Sequence, residues 1–209
     1  MDKEEKVKRI AEVFERLYPD ARCTLEFDNA IQLLVSAQLA AQCTDERVNM
    51  IAKTLFKKYL DAKDFADADL SELEEDIKPA GFFRNKARNI KNCCRMIVED
   101  FGGDVPDNME DMLKLPGVGR KTANLVLGEV FGIPGIVVDT HVKRLSNRIG
   151  LSSGDNPVKI EFDLMKVVPK ERWTKFCHQI VFHGRAVCTA IKPDCLKCGI
   201  KNYCNYGQR

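Results

Sequence analysis

The sequence predicts an all-α fold, and three observations carry the prediction. Apolar residues recur at helical spacing along almost the whole chain. No alternating apolar–polar run is flanked by the turn chemistry of a β-hairpin. Gly, Pro and Asn fall where such helices should start or stop.

Taken in order, Val7, Ile10, Phe14 and Leu17 mark one face of a first helix that Pro19 closes. Val48, Ile51, Ala52, Leu55 and Phe56 mark a second face. Ile90, Cys94, Ile97, Val98 and Phe101 mark a third, stopped by Gly102 and Gly103. Asn156-Pro157 reads as an N-cap followed by Pro at the first helical position. Trp173, Phe176, Cys177 and Ile180 mark a late helix running to about Gly184. Breaks near Pro19–Arg22 and Gly132–Gly135 suggest two domains. Residues 22–134 form a central helical domain, and residues 1–21 pack with 135–209.

Composition sets the class. The 209 residues are 44% hydrophobic and 31% charged, enough apolar material for a core without staples. The charged N-terminus lacks the pattern of a signal peptide. The richest apolar stretch, Asn124–Val138, is interrupted by Glu129 and Pro134, so no membrane span is expected. The expected location is cytoplasmic, in association with the nucleoid. Net charge is only +2, but from residue 115 onward 15 Lys/Arg face 7 Asp/Glu. That basic second half suits an anionic partner such as nucleic acid, although charge also varies along ordinary surfaces.

Nine cysteines in a reducing compartment point away from disulfides and towards a metal site. Cys188, Cys195, Cys198 and Cys204 follow C-x6-C-x2-C-x5-C. Their middle pair is the clip used in both zinc and iron–sulfur sites. A structural zinc module usually has two such clips, so one clip favours [4Fe–4S] while leaving zinc open. Lys192 and Lys197 make the loop cationic, as a phosphate-facing loop would be. The other five cysteines read as small buried hydrophobes.

The stretch Leu115-Pro116-Gly117-Val118-Gly119-Arg120-Lys121-Thr122-Ala123 is the most informative. Its two glycines permit a sharp turn and close backbone approach, and a helix follows to about Phe131. Loop N–H groups and a helix N-terminus together suit a DNA phosphate. The motif is not a nucleotide P-loop, because Arg120 separates Gly119 from Lys121. Lys121 falls in the first helical turn beside Arg120. The helix dipole and the like charge both favour its free amine, the form a Schiff-base nucleophile requires. The plain alternative is a solvated surface lysine.

Ile136-Val137-Val138 runs directly into Asp139, Thr140 and His141. Asp139 reads as an N-cap of a helix with Val142, Leu145 and Ile149 on its apolar face, ended by Gly150. Its functional reading is a carboxylate that stabilises an oxocarbenium ion or manages protons. Lys143, Arg144 and Arg148 form an expected phosphate-facing stripe or, more plainly, a solvated face. His178 and His183 read as structural residues.

The segments LPGVGRKTAN and VVDTH and the cysteine tail together resemble the endonuclease III family of the helix–hairpin–helix glycosylase superfamily. The resemblance is dense from about residue 80 to 204 and extends over Ala41-Gln42-Cys43-Thr44-Asp45 and Val48-Asn49. It implies two helical domains flanking a DNA-binding cleft and a C-terminal [4Fe–4S] cluster loop. It implies Lys121 as nucleophile and Asp139 as catalytic aspartate, with Cys188, Cys195, Cys198 and Cys204 as cluster ligands. Gly117, Val118 and Gly119 would bind phosphate, with Arg120, His141, Lys143 and Lys192 as further DNA contacts. Gln42 would fill the space of the extruded nucleotide. Phe82 stands at a second wedge position where the family commonly has leucine.

The implied protein is a monomeric, bifunctional DNA glycosylase and AP lyase. It would act on oxidised or saturated pyrimidines in double-stranded DNA. Two alternatives remain from the sequence. One is a monofunctional mismatch glycosylase of the same superfamily, which would lack the lysine. The other is a non-catalytic iron–sulfur DNA-binding protein.

Overall fold

The structure, a computed structural model, describes residues 1–208. The described residues form helices and loops without a strand. They divide into two compact units, Met1–Arg22 with Ile133–Arg209, and Cys23–Gly132.

The unit Cys23–Gly132 contains α2 (Ala30–Leu39), α3 (Asp45–Lys58), α4 (Ala62–Asp67), α5 (Leu70–Asp76), a 3-10 turn at Lys78–Ala80, α6 (Phe83–Phe101), α7 (Met109–Met112) and α8 (Arg120–Val130). Helix α2 is its centre. The segment AIQLLVSAQL is apolar on nearly every face and packs against α3, α6 and α8, so it buries Ile31, Leu33, Leu34, Val35 and Leu39. A helix that is apolar all round belongs in a core. Helix α6 buries Ile90, Cys94 and Ile97 as their spacing predicts. It ends at Gly102, whose φ of +64° supplies the left-handed cap.

The other unit joins α1 (Lys3–Leu17) to α9 (Thr140–Ile149), α10 (Pro157–Val167), a 3-10 turn at Lys170–Arg172, α11 (Trp173–Ala186) and a 3-10 turn at Lys201–Tyr203. Val7, Ile10, Ala11 and Phe14 of α1 are buried, while Leu17 is half-exposed. Phe14 meets Phe176 of α11 at 6.1 Å between ring centroids. At the rim, Glu15 accepts hydrogen bonds from Lys175 at 2.7 Å and Gln179 at 3.0 Å. The N-cap expected at Asn156 is present: its side chain accepts from the N–H groups of Val158 and Lys159, with Pro157 first in α10.

Among the described residues, side chains cap eight α-helices, while α6, α8 and α11 begin without such a cap. Asp2, Asn29, Thr44, Asp61, Asp69, Asn108, Asp139 and Asn156 each accept a backbone N–H at a helix start. The cap residues of α6 and α8 are Phe82 and Gly119.

Candidate active site and cysteine loop

The hairpin belongs to the unit Cys23–Gly132. Leu115 and Val118 are buried, and the Val118 N–H donates to the Leu115 carbonyl at 3.1 Å. Gly117 turns the chain with a φ of +76°. A Cβ there would stand 2.8 Å from Gln38 Oε1 and 3.0 Å from Asn89 Cβ. Conformation and packing both demand glycine. Gly119 then starts α8, and the first intrahelical bond runs from the Ala123 N–H to the Gly119 carbonyl at 2.9 Å. With no side chain over this helix start, N–H groups and the positive dipole end are presented to an anion. Arg120 is half-buried and Lys121 exposed, in the first turn of α8.

Burial pushes the thiol of nearby Cys23 up to about 11; Glu129 and Asp45 add to the rise, and the charge of Lys121 opposes it.

Gln42 and Phe82 share an unusual backbone. Their φ values are +56° and +49°, and they are the only non-glycine residues of the described chain at positive φ. Such positions cost about 1–3 kcal/mol and cluster at functional sites. Gln42 is exposed in the loop after α2, and Phe82 is 66% exposed at the start of α6. Exposed, strained side chains of this kind make poor core residues and suit contact with a ligand.

In the other unit, Asp139 caps α9. Its Oδ1 accepts the Val142 N–H at 2.7 Å, so the carboxylate is held rigidly and half-buried. The buried run Ile136–Val138 leads directly into it. His141 is half-buried, with Nδ1 3.1 Å from Arg144 Nη2 and its ring packed on Gly184. Lys143 pairs with Asp155 at 3.1 Å. Lys192 is exposed, and its carbonyl accepts the Thr189 hydroxyl at 2.7 Å.

The expected phosphate-facing stripe on α9 is corrected by these contacts. Two of its three cations serve the cysteine loop. Arg144 donates to the carbonyls of Gly184 at 3.2 Å and Cys188 at 3.0 Å. Arg148 donates to Cys188 Sγ at 3.3 Å and to the carbonyls of Thr189 and Ala190 at 2.7 Å each, and it stacks over Tyr206. A guanidinium satisfies several carbonyls at once, which a count of charges along a helix does not reveal.

Cys188, Cys195, Cys198 and Cys204 line one small pocket. Cys204 Sγ lies 3.3 Å from the Arg148 carbonyl. Burial raises the Cys198 thiol, and the charges of Cys204, Cys188 and Cys195 push the same way, so the four sulfurs share one neighbourhood. Their donor set, four thiols beside a guanidinium, fits a cysteine-ligated iron–sulfur group. Among the described residues, no group of three or more His, Cys, Asp or Glu side chains is disposed to hold a single metal ion.

His183 is a contact that the sequence did not announce. It is 1% exposed, with Nδ1 3.0 Å from the Tyr18 hydroxyl and Nε2 3.4 Å from Cys198 Sγ. Burial lowers its pKa to about 4, so the ring is neutral near pH 7. Of the remaining cysteines, Cys93, Cys94 and Cys177 are buried and Cys23 and Cys43 half-buried, and none is in a disulfide.

An uncapped helix behind a glycine turn, in an all-helical chain, defines the class. Residues 35–170 match the HhH-GPD superfamily base excision DNA repair protein family. Endonuclease III of Synechocystis is 51% identical over 207 residues, covering 99% of this chain and 94% of the relative. Endonuclease III of Bacillus subtilis is 46% identical, covering 92% and 89%. A solved trapped endonuclease III–DNA covalent intermediate superposes with a TM-score of 0.94 at 42% identity, covering 100% of this chain and 98% of that one. Within the HhH-GPD superfamily, the chain belongs to the endonuclease III family. No helix of the described residues is long and apolar enough to cross a membrane.

Proposed function

We propose that this chain removes oxidised or saturated pyrimidines from duplex DNA and cleaves the strand 3′ to the abasic site. The observation that carries the reading is Lys121, exposed in the first turn of a helix that lacks a side-chain cap. The covalent DNA intermediate solved for an endonuclease III similar to this chain supports a nucleophile that bonds to DNA.

The chemistry follows from the residues. A damaged base must leave the stack before its sugar can be attacked. Gln42 and Phe82 fill the space it vacates. The turn Gly117–Gly119 and Arg120 hold a backbone phosphate, and Lys143 and Lys192 add cationic contacts. His141, with Nδ1 3.1 Å from Arg144 Nη2, is a further DNA contact at the start of α9. The neutral amine of Lys121 adds to C1′ while the bond from C1′ to the base breaks. The base takes the electron pair and is protonated as it leaves. Opening of the sugar ring gives a Schiff base, which acidifies the C2′ proton. Loss of that proton expels the 3′ phosphate and breaks the C3′–O bond. Asp139 stabilises positive charge at the sugar and assists proton transfer.

Cys188, Cys195, Cys198 and Cys204 are assigned as ligands of a [4Fe–4S] cluster. When bound, that group supplies iron–sulfur bonds that cross-link the loop carrying Lys192. On this reading, the hairpin unit carries the nucleophile and the wedge residues, and the other unit carries Asp139 and the cysteine loop.

A panel of duplexes, each with one oxidised or saturated pyrimidine, tests the proposal. Released base and cut strand should appear together. Loss of base with an intact strand would favour a monofunctional enzyme, and binding without product would favour a non-catalytic DNA-binding protein.

A further inference from the structure

Lys86 is an anomaly in the unit Cys23–Gly132. It lies within α6 and is only 6% exposed. A lysine is rarely buried to this degree unless paired with an acid. Its partners are carbonyls instead. Nζ donates to Leu39 O at 2.8 Å and to Ala80 O at 2.9 Å. Burial lowers its pKa, and the nearby Cys43 opposes the shift.

The positions of the two carbonyls are informative. Leu39 is the last residue of α2, three residues before Gln42. Ala80 is the last residue of the Lys78–Ala80 turn, two residues before Phe82. One ammonium therefore closes two helical C-termini, where carbonyls lack intrahelical partners and a cation is favoured. Each of those ends leads into one of the two non-glycine residues at positive φ. Lys86 stands one turn into α6, and its N–H makes the first intrahelical bond, to Phe82 O at 3.2 Å.

We infer that Lys86 is a positioning residue that ties the Gln42 and Phe82 loops into one rigid device for displacing a nucleotide. This rests on the reading of Gln42 and Phe82 as inserting residues. Lys86 touches neither DNA nor the reacting sugar in this account. It fixes the separation of two side chains that must enter the duplex together. Misplacement by about 1 Å can cost on the order of 100-fold in rate. The sequence hides this role, since a lysine in GFFRNKARN reads as surface.

The test compares Lys86→Met with Lys86→Gln, which keeps one donor. Two rates are measured for each: base removal from duplex DNA containing dihydrouracil, and borohydride trapping on a single-stranded abasic oligonucleotide, which needs no unstacking. Lys86→Met should lose roughly tenfold or more on the duplex and change trapping less than about twofold, with Lys86→Gln between it and wild type. In a Gln42→Ala/Phe82→Ala background, adding Lys86→Met should cost less than about twofold, because its effect passes through those side chains. Equal losses on both substrates, no loss on the duplex, or an undiminished loss in the double background would overturn the inference. An unaffected Gln42→Ala/Phe82→Ala enzyme would instead overturn the insertion reading itself. If the variants do not fold, native-state hydrogen exchange on the unaltered chain decides. The amides of Cys43 and Gly81 should open with one shared denaturant dependence, and independent opening contradicts the coupling.

Discussion

Arg148 of α9 donates a hydrogen bond from Nη1 to the sulfur of Cys188 at 3.3 Å, and the same guanidinium holds the next two carbonyls of the chain. The start of the cysteine loop is thus fastened to α9. Hydrogen bonds from a charged donor contribute about 1.5–3 kcal/mol each in the best cases. Arg148→Met should therefore lower unfolding stability by about 2 kcal/mol and raise the rate at which iron is lost to a chelator. Thermal unfolding and iron content after dialysis check this. An unchanged iron-loss rate would show that the arginine does not hold the loop.

The proposed catalytic role of Asp139 is separable from its observed capping of α9. Asn is as good an N-cap as Asp, whereas Ala costs about 1 kcal/mol at such a position. Asp139→Asn should leave the melting temperature nearly unchanged while activity falls about 100-fold or more, the usual contribution of a positioned acid or base. Asp139→Ala should lose both. If Asp139→Asn retains full activity, the residue is a cap and nothing more.

The glycines of the hairpin are not equivalent. Gly117 combines positive φ with a 2.8 Å clash for any Cβ, whereas Gly119 has φ −104° and open space. Gly117→Ala should destabilise by about 1–3 kcal/mol and weaken DNA binding. Gly119→Ala should cost less, about 0.5–1 kcal/mol, from the poorer N-cap alone. Equal effects in denaturant melts would contradict this geometry.

Glu15 fastens α1 to α11. Hydrogen bonds from Lys175 and Gln179 hold its carboxyl below its ordinary value of 4.5. A lowered folded-state pKa gives stability that is fully present above the ordinary value and is lost as pH falls through the lowered, folded-state value. Glu15→Gln should accordingly flatten the loss of stability between about pH 5 and pH 3. An acid limb identical to wild type would show that the contact contributes nothing.

The fold was largely legible because its signals are local. Gly102 stops α6 and Asn156-Pro157 starts α10 as their chemistry dictates. Helix α2 was not legible, because a segment buried on all sides has no amphipathic period to detect. The site divides in the same way. The Gly117 turn and the cysteine run could be found from spacing. Arg144, Arg148 and Lys86 could not, since their partners are backbone carbonyls remote in sequence. The two positive-φ residues were named by resemblance, and only the backbone shows that they share a strained conformation.

The most direct test of the central claim is borohydride reduction during turnover on a damaged duplex, followed by mass mapping of the cross-linked peptide. One covalent adduct is expected on Lys121 and none in Lys121→Ala, which should still bind the duplex. An adduct on another residue, or one that persists in Lys121→Ala, would contradict that claim.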